Sequence, residues 1–323
     1  MKYRFCGKTG LQLPQISLGL WHNFGDVDDF AVATDIVCYA FDHGITHFDL
    51  ANNYGPPVGS AETNFGKILA KELKGHRDEI IVSSKAGHLM WNGPYGDGGS
   101  RKSLMASIDQ SLRRTGLDYF DIFYTHRYDP QTPVEETIQA LIDIVRQGKA
   151  LYAGISKYPV AQTREAYELM RAQNTPCIIY QGKYNLLYRE PESGIFDLNE
   201  KHVAGFIAFS PLAQGILTNK YLHGIPESSR AAKEHGFLKR SEITDELIAR
   251  IIRLNDLAAA RGQTLAEMSL SWLLAKPKVS SVIVGASSVA QLQDNLGALD
   301  NCSFTSDELA EIDLSASPQK LLY

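Results

Sequence analysis

The stretch ITHFDLANNYG, residues 45–55, decides how this chain is read. It opens as a strand-like run that closes on Asp49, and Tyr54 follows five residues later in NNYG. Two further strand-like runs end in the same manner. EIIVSSK, residues 79–85, closes on Lys85, and the apolar YFDIFYTH, residues 119–126, closes on His126. In a parallel barrel the C-terminal strand ends converge on one face, which is where such a fold builds its active sites. Gathered there, these residues supply a phenol, an ammonium next to a carboxylate, and an imidazole. That is a proton-donor apparatus.

Working outward, strand-like runs alternate with amphipathic helical ones along the whole chain. After a hairpin-like start, KYRFCGKTGLQLP, strands are expected at 16–21, 47–51, 80–85, 119–126, 151–156, 177–181, 206–210 and 281–285. Helices are expected at 30–43, 61–73, 102–114, 134–147, 161–172, 245–261 and 265–275. Ile138, Leu141, Ile142 and Val145 recur at three- and four-residue steps, which makes one apolar stripe on a helix. Gly44, Gly116 and Gly148 supply the stops after their helices. Eight strands with intervening helices read as an α/β fold, a (β/α)8 TIM barrel with an N-terminal β-hairpin. Residues 214–243 are long for a connection and rich in Gly, Pro, Ser and charge, so they are expected as a functional loop over the C-terminal face. No linker, repeat or low-complexity tract appears, and 1–323 reads as one domain.

Composition narrows the classes of function. A net charge of −5 and a pI near 6.0, with no dense Lys/Arg block, argue against a nucleic-acid surface. No apolar run approaches the roughly 20 residues of a membrane span, and residues 1–10 hold no apolar signal segment. The expectation is a cytoplasmic protein. Cys6, Cys38, Cys177 and Cys302 are scattered with no CxxC pair, so reduced buried thiols are expected rather than disulfides or a zinc site. No metal site is expected.

Carbonyl reduction needs a hydride and a proton. A tyrosine with its ordinary pKa of about 10 holds its proton firmly, and a nearby ammonium favours the phenolate. Lys85 would supply that charge to Tyr54, Asp49 would keep Lys85 protonated, and His126 would donate a hydrogen bond to the carbonyl. Each residue also has a plain reading: Asp49 as a turn cap, Tyr54 as loop packing, Lys85 and His126 as barrel-mouth polar residues. Their joint order and placement at strand ends favour the catalytic reading. The hydride must come from a cofactor, and no GxGxxG opens a helix after a strand.

The positions Asp49, Tyr54, Lys85 and His126 resemble the catalytic tetrad of the aldo-keto reductases, and the resemblance runs over nearly the whole chain. It implies NADP(H) as cofactor, threaded through the barrel mouth. SLGLWHNFG would bring Leu20 and Trp21 near the nicotinamide, although Trp21 also reads as a rim core residue. GISKY would place Ser156 and Lys157 beside the nicotinamide amide, joined by Asp49 and Gln181, with Phe209 stacked on the ring. Ser210, Pro211, Leu212, Ala213 and Gln214 resemble the pyrophosphate loop, with Lys220 as its basic partner and Arg230 over the adenosine half. Asn219 stands where the family usually has glycine. GASSVAQLQDN resembles the adenosine-phosphate segment, implying contacts from Gly285, Ser287, Gln291, Asp294 and Asn295. Simple helix capping by Ser287 and Ser288 is its plain reading.

SLGLWHNFG, HFDLANNYGPP, MWNGPYGDGGSRK and SPLAQG look like the bacterial branch that reduces L-glyceraldehyde 3-phosphate and handles methylglyoxal and other small aldehydes. Branch relatives form tetramers and octamers, so a homo-oligomer is implied. The tail SASPQKLLY departs from longer family tails. A phosphate on the substrate would find flexible backbone at 93–99 and free helix N–H groups beside Arg101 and Lys102. Arg127 is a second candidate, and Trp91 could close over a small substrate. The plain reading of all these is a flexible loop with a capped helix and solvated charges.

Two other classes compete. A redox-sensing NADPH-binding regulatory subunit resembling potassium-channel β subunits would carry asparagine where this chain has His126. A Schiff-base aldolase would use Lys85 as its nucleophile, but a lysine paired with Asp49 stays protonated and non-nucleophilic.

Overall fold

The computed structural model describes residues 1–222, 224–226 and 238–316. Arg230, part of the 214–243 loop and the last seven residues of the tail lie outside the described residues. The chain opens with an antiparallel hairpin, β1 (Tyr3–Phe5) and β2 (Gln12–Pro14). The eight strands that follow are all parallel and close into a barrel. They are β3 (Ile16–Gly19), β4 (His47–Asp49), β5 (Ile81–Ala86), β6 (Phe120–Thr125), β7 (Ala150–Ser156), β8 (Cys177–Lys183), β9 (Gly205–Phe209) and β10 (Ser281–Val284). Their order round the barrel is their order in the chain, with β10 beside β3, as right-handed βαβ units produce. The expected (β/α)8 barrel is therefore present, with strand ends displaced by only a few residues.

The outer layer is α1 (Phe30–Asp42), α2 (Ser60–Lys71), α3 (Arg101–Thr115), α4 (Val134–Arg146), α5 (Val160–Ala172), α6 (Ile195–His202), α7 (Asp245–Ala260), α8 (Leu265–Leu274), α9 (Val289–Gly297) and α10 (Ser306–Ser315). Asp29, Ser100, Thr244, Thr264, Ser288 and Thr305 cap helix starts with side-chain oxygens. Gly116 takes the left-handed conformation that ends α3, at φ 69°. The stripe on α4 buries Ile138, Leu141 and Ile142 against the barrel wall. Behind it, the fully buried Glu62 accepts from Ser84 Oγ at 2.6 Å and Arg114 Nε at 2.7 Å, tying α2 to β5 and α3.

The hairpin lies at the N-terminal end of the barrel. Lys8 donates its amide to Val203, and Cys6 Sγ contacts the Ile178 carbonyl at 3.1 Å. Inside the barrel the strand period of two divides the lumen. Ile122, Tyr124, Ile179, Ile207 and Ile283 form an apolar cluster with Cys6 and Leu13. Ser17, His47, Asp49, Ser83, Lys85 and Ser281 hold the polar part, each almost wholly buried. Gly154 makes room for this packing, since a Cβ there would sit 2.5 Å from the Tyr124 ring. No helix among the described residues is long and apolar enough to cross a membrane.

Candidate active site

Asp49 ends β4, and the strand register sets it beside Ser83 on β5. Lys85, two residues further along the same face of β5, donates to Asp49 Oδ2 and to the Leu50 carbonyl, both at 2.6 Å. Its Nζ lies 5.1 Å from the Tyr54 ring centroid. The Tyr54 ring is 5.9 Å from that of His126 and 6.2 Å from that of Trp21. The four residues read from strand ends, together with Trp21, thus surround one point at the barrel mouth.

Asp49 is held by more than lysine. Its Oδ1 accepts from Ser83 Oγ at 2.7 Å and from Gln181 Nε2 at 3.0 Å. Behind Ser83 a chain continues down the lumen. Ser83 Oγ meets His47 Nε2 at 2.9 Å, His47 Nδ1 meets Ser17 Oγ at 2.9 Å, and Ser17 Oγ meets Ser281 Oγ at 2.7 Å. The directions follow from Asp49. A carboxylate only accepts, so Ser83 donates to it and takes its own hydrogen bond from His47 Nε2–H. His47 Nδ1 then accepts from Ser17, and Ser281 donates to Ser17. Every proton in the chain points toward Asp49. Burial pushes the His47 pKa down to about 4, keeping the ring neutral as this arrangement requires.

The sequence did not mark Ser83 or His47 as functional. The available signal was the period of two: His47 stands two before Asp49, and Ser83 two before Lys85.

Burial lowers the pKa of the Lys85 ammonium, and the adjoining Asp49 charge opposes that shift. His126 is driven well below the usual imidazole range by burial, then by Lys157, Lys85, His88 and Arg127. It is a neutral ring, and its Nδ1 is buried without a partner. Tyr54 departs from expectation. Its phenol is raised well above 10 by burial and by the Asp49 charge, where the sequence reading had Lys85 lowering it. Burial is the larger cause, and the geometry of the ion pair adds to it. Lys85 is neutralised by Asp49 at 2.6 Å, so the phenol faces an ion pair rather than a lone cation.

The cofactor residues divide by setting. Ser156 Oγ and Asn295 Nδ2 are buried and have no partner, as polar atoms that await an amide or a purine would be. Ser210, Ala213 and Gln214 take left-handed backbone at φ 52°, 46° and 58°, a costly conformation that clusters at ligand-binding loops. These features fit a dinucleotide. Leu20 is buried and its amide donates to the Asp49 carbonyl; Pro211 is buried, while Leu212 and Phe209 are half-buried. Lys220, Gly285, Ser287, Gln291 and Asp294 are exposed. Gln291 Oε1 is already engaged, accepting from the Ser287 amide and hydroxyl at 2.8 and 3.0 Å.

At the expected anion site, the start of α3, Arg101 already has partners. Arg101 pairs with Asp143 at 2.5 Å, and its amide donates to the Glu136 carboxylate at 3.0 Å. Lys102 lies over the Tyr95 ring, 5.3 Å from its centroid. Carboxylates from the neighbouring α4 thus take up the Arg101 guanidinium and amide. Arg127 pairs with Asp97 at 2.9 Å, fastening the loop that carries Trp91 to the end of β6.

Residues 15–316 match the model of the aldo/keto reductase family. The chain belongs to that family. It is 53% identical over 317 residues to L-glyceraldehyde 3-phosphate reductase of Escherichia coli K12, covering 97% of this chain and 92% of that protein. It is 36% identical over 306 residues to a probable voltage-gated potassium channel subunit beta of Arabidopsis thaliana, covering 93% and 92%. This aldo/keto reductase is an oxidoreductase, and the family uses a nicotinamide cofactor.

Proposed function

We propose that this enzyme is an NADPH-dependent reductase of small aldehydes, with L-glyceraldehyde 3-phosphate as its leading substrate and methylglyoxal within its range. The observation that carries the reading is the convergence of Tyr54, the Lys85–Asp49 pair and His126 at one mouth of the barrel. The 53% identity to the L-glyceraldehyde 3-phosphate reductase of Escherichia coli supports the substrate.

When bound, the nicotinamide supplies hydride to the carbonyl carbon. The side chains of this chain do the rest. Neutral His126 donates to the carbonyl oxygen and sets its direction toward Tyr54. As charge grows on that oxygen, Tyr54 passes it the phenolic proton. An alkoxide is a stronger base than a phenolate, so a phenol with a raised pKa still serves as the acid. Lys85 then stabilises the phenolate that remains, and Asp49 holds Lys85 charged for that moment. Ser156 and Asn295 would hold the amide and adenine ends of the cofactor. The left-handed loop at Ser210–Gln214 and the exposed Lys220 would hold its phosphates. The reading also includes a cytoplasmic homo-oligomer, which fractionation and light scattering check.

A regulatory-subunit reading rests on the 36% identity alone, and the retained imidazole at His126 favours catalysis. The test is Tyr54→Phe. Aldehyde-dependent NADPH oxidation should fall ~10²–10⁴-fold while NADPH affinity holds. Wild-type turnover in this variant would remove Tyr54 from the mechanism.

A further inference from the structure

Beside the four converging residues stands a second group that the proton-transfer chemistry leaves unused. Lys157 follows β7 in a left-handed conformation, at φ 54°, with its amide donating to the Gln181 carbonyl at 3.3 Å. Such backbone is uncommon for a residue with a side chain, and it clusters at ligand sites. The ammonium of Lys157 contacts His88 Nε2 at 3.2 Å. An ammonium only donates, so His88 Nε2 is the acceptor and its proton sits on Nδ1. The His88 ring in turn meets the His126 ring edge-on at 4.4 Å between centroids. Lys157 is thus linked, through one imidazole, to the residue that would orient the carbonyl.

The charge balance here is lopsided. Lys85 is matched by Asp49 and Arg127 by Asp97, but Lys157 has no carboxylate partner among the described residues. Burial holds its pKa down to about 8, with Lys85 and Arg127 adding repulsion. Burial, then Lys157 and Arg127, hold His88 down to about 4. Lys157 is an exposed cation at the barrel mouth, in contact with His88 and over the Phe209 ring, and an ammonium so placed can donate a charge-assisted hydrogen bond to an anion. The dinucleotide phosphates have their own candidate loop at Ser210–Gln214, on the far side of Phe209 in the chain.

We propose that Lys157, with His88 and Arg127, receives the anionic end of the substrate, a phosphate ester a few bonds from the reacting carbonyl. This deepens the reductase reading and rests on it. It replaces the helix start at Arg101 and Lys102, where the Arg101 guanidinium and amide are already engaged by Asp143 and Glu136. Lys157 gives the ammonium; Arg127 adds a second cation held by Asp97 at the loop; His88 spaces Lys157 from His126. Lys157 is a specificity residue here rather than only a neighbour of the nicotinamide amide.

The experiment compares L-glyceraldehyde 3-phosphate with uncharged L-glyceraldehyde at fixed ionic strength and saturating NADPH. The readout is the ratio of their kcat/KM values in wild type and in Lys157→Met. Losing one charge-assisted contact should lower that ratio roughly tenfold or more. Arg127→Met should lower it less, because Asp97 already shares that cation. A role confined to the cofactor would depress both aldehydes equally, leave the ratio unchanged and overturn the inference. A second measurement needs no variant. Inorganic phosphate should inhibit L-glyceraldehyde reduction by wild type competitively against the aldehyde. Inhibition competitive only against NADPH, or none, would overturn it. A wild type that reduces both aldehydes with equal efficiency sinks this inference alone, whereas one that reduces neither sinks the reductase reading as well.

Discussion

Replacing Ser83 with alanine would cut the lumen chain at its junction with Asp49. The substitution removes the 2.7 Å bond to Asp49 Oδ1 and the 2.9 Å bond from His47. A hydrogen bond to a charged acceptor contributes roughly 1.5–3 kcal/mol, and a buried donor left without a partner costs about 1–3 kcal/mol. Asp49 keeps Lys85 and Gln181, so the ion pair should survive while His47 Nε2–H is orphaned. The expected loss is about 2.5–6 kcal/mol of stability, the sum of those two terms. Urea unfolding should show it as a lower midpoint with an unchanged slope. Adding His47→Phe removes the orphaned donor, so the double variant should be less destabilised than the two single losses combined, with a coupling of roughly 1–2 kcal/mol. Turnover at pH 7 should fall in Ser83→Ala, because Asp49 loses one of three donors that fix its direction toward Lys85. If Ser83→Ala unfolds within about 0.5 kcal/mol of wild type, the typical reach of neutral surface changes, the directed chain is not a feature of this protein.

Three further outcomes follow from the same contacts. His47 is neutral in the fold with a pKa of about 4, while a free imidazole titrates near 6.5, so the unfolded chain binds the extra proton. Stability from this group is complete above about pH 6.5 and falls as pH drops toward 4, by on the order of 3 kcal/mol; His47→Phe should flatten that slope in an unfolding-versus-pH series, and an unchanged slope would contradict it. Arg114→Met leaves Glu62 buried without its cation and should cost about 3–5 kcal/mol in the same assay, with Glu62→Gln restoring part of the loss. NADPH should bind more tightly than NADH in fluorescence titration, and Lys220→Ala should weaken both by a similar factor, since both carry the pyrophosphate; equal affinities in the wild type would remove the NADPH preference from the proposal.

The barrel was legible in the sequence because its determinants are local. Alternating apolar runs, the stripe Ile138–Leu141–Ile142 and the glycines after the helices each act over a few residues, so each can be read in place. The tetrad was legible for a related reason: strand ends in a parallel barrel share one face, so order in the chain becomes neighbourhood in space. What the sequence could not supply was the identity of partners brought together across strands. Ser17, His47, Ser83 and Ser281 come from four strands, and only closure of β10 onto β3 makes them a single chain. The sign of the Tyr54 shift depended on burial and on Lys85 being cancelled by Asp49, neither visible from composition. The fate of the cations was decided the same way. Arg101 found Asp143 on the adjacent helix, while Lys157 met His88 and the Phe209 ring and no carboxylate among the described residues, because pairing is set by distances between elements far apart in the chain. Periodicity and order fix the scaffold; the electrostatics of the site belong to the folded molecule, where desolvation and a few ångströms of separation determine which charge is free to act.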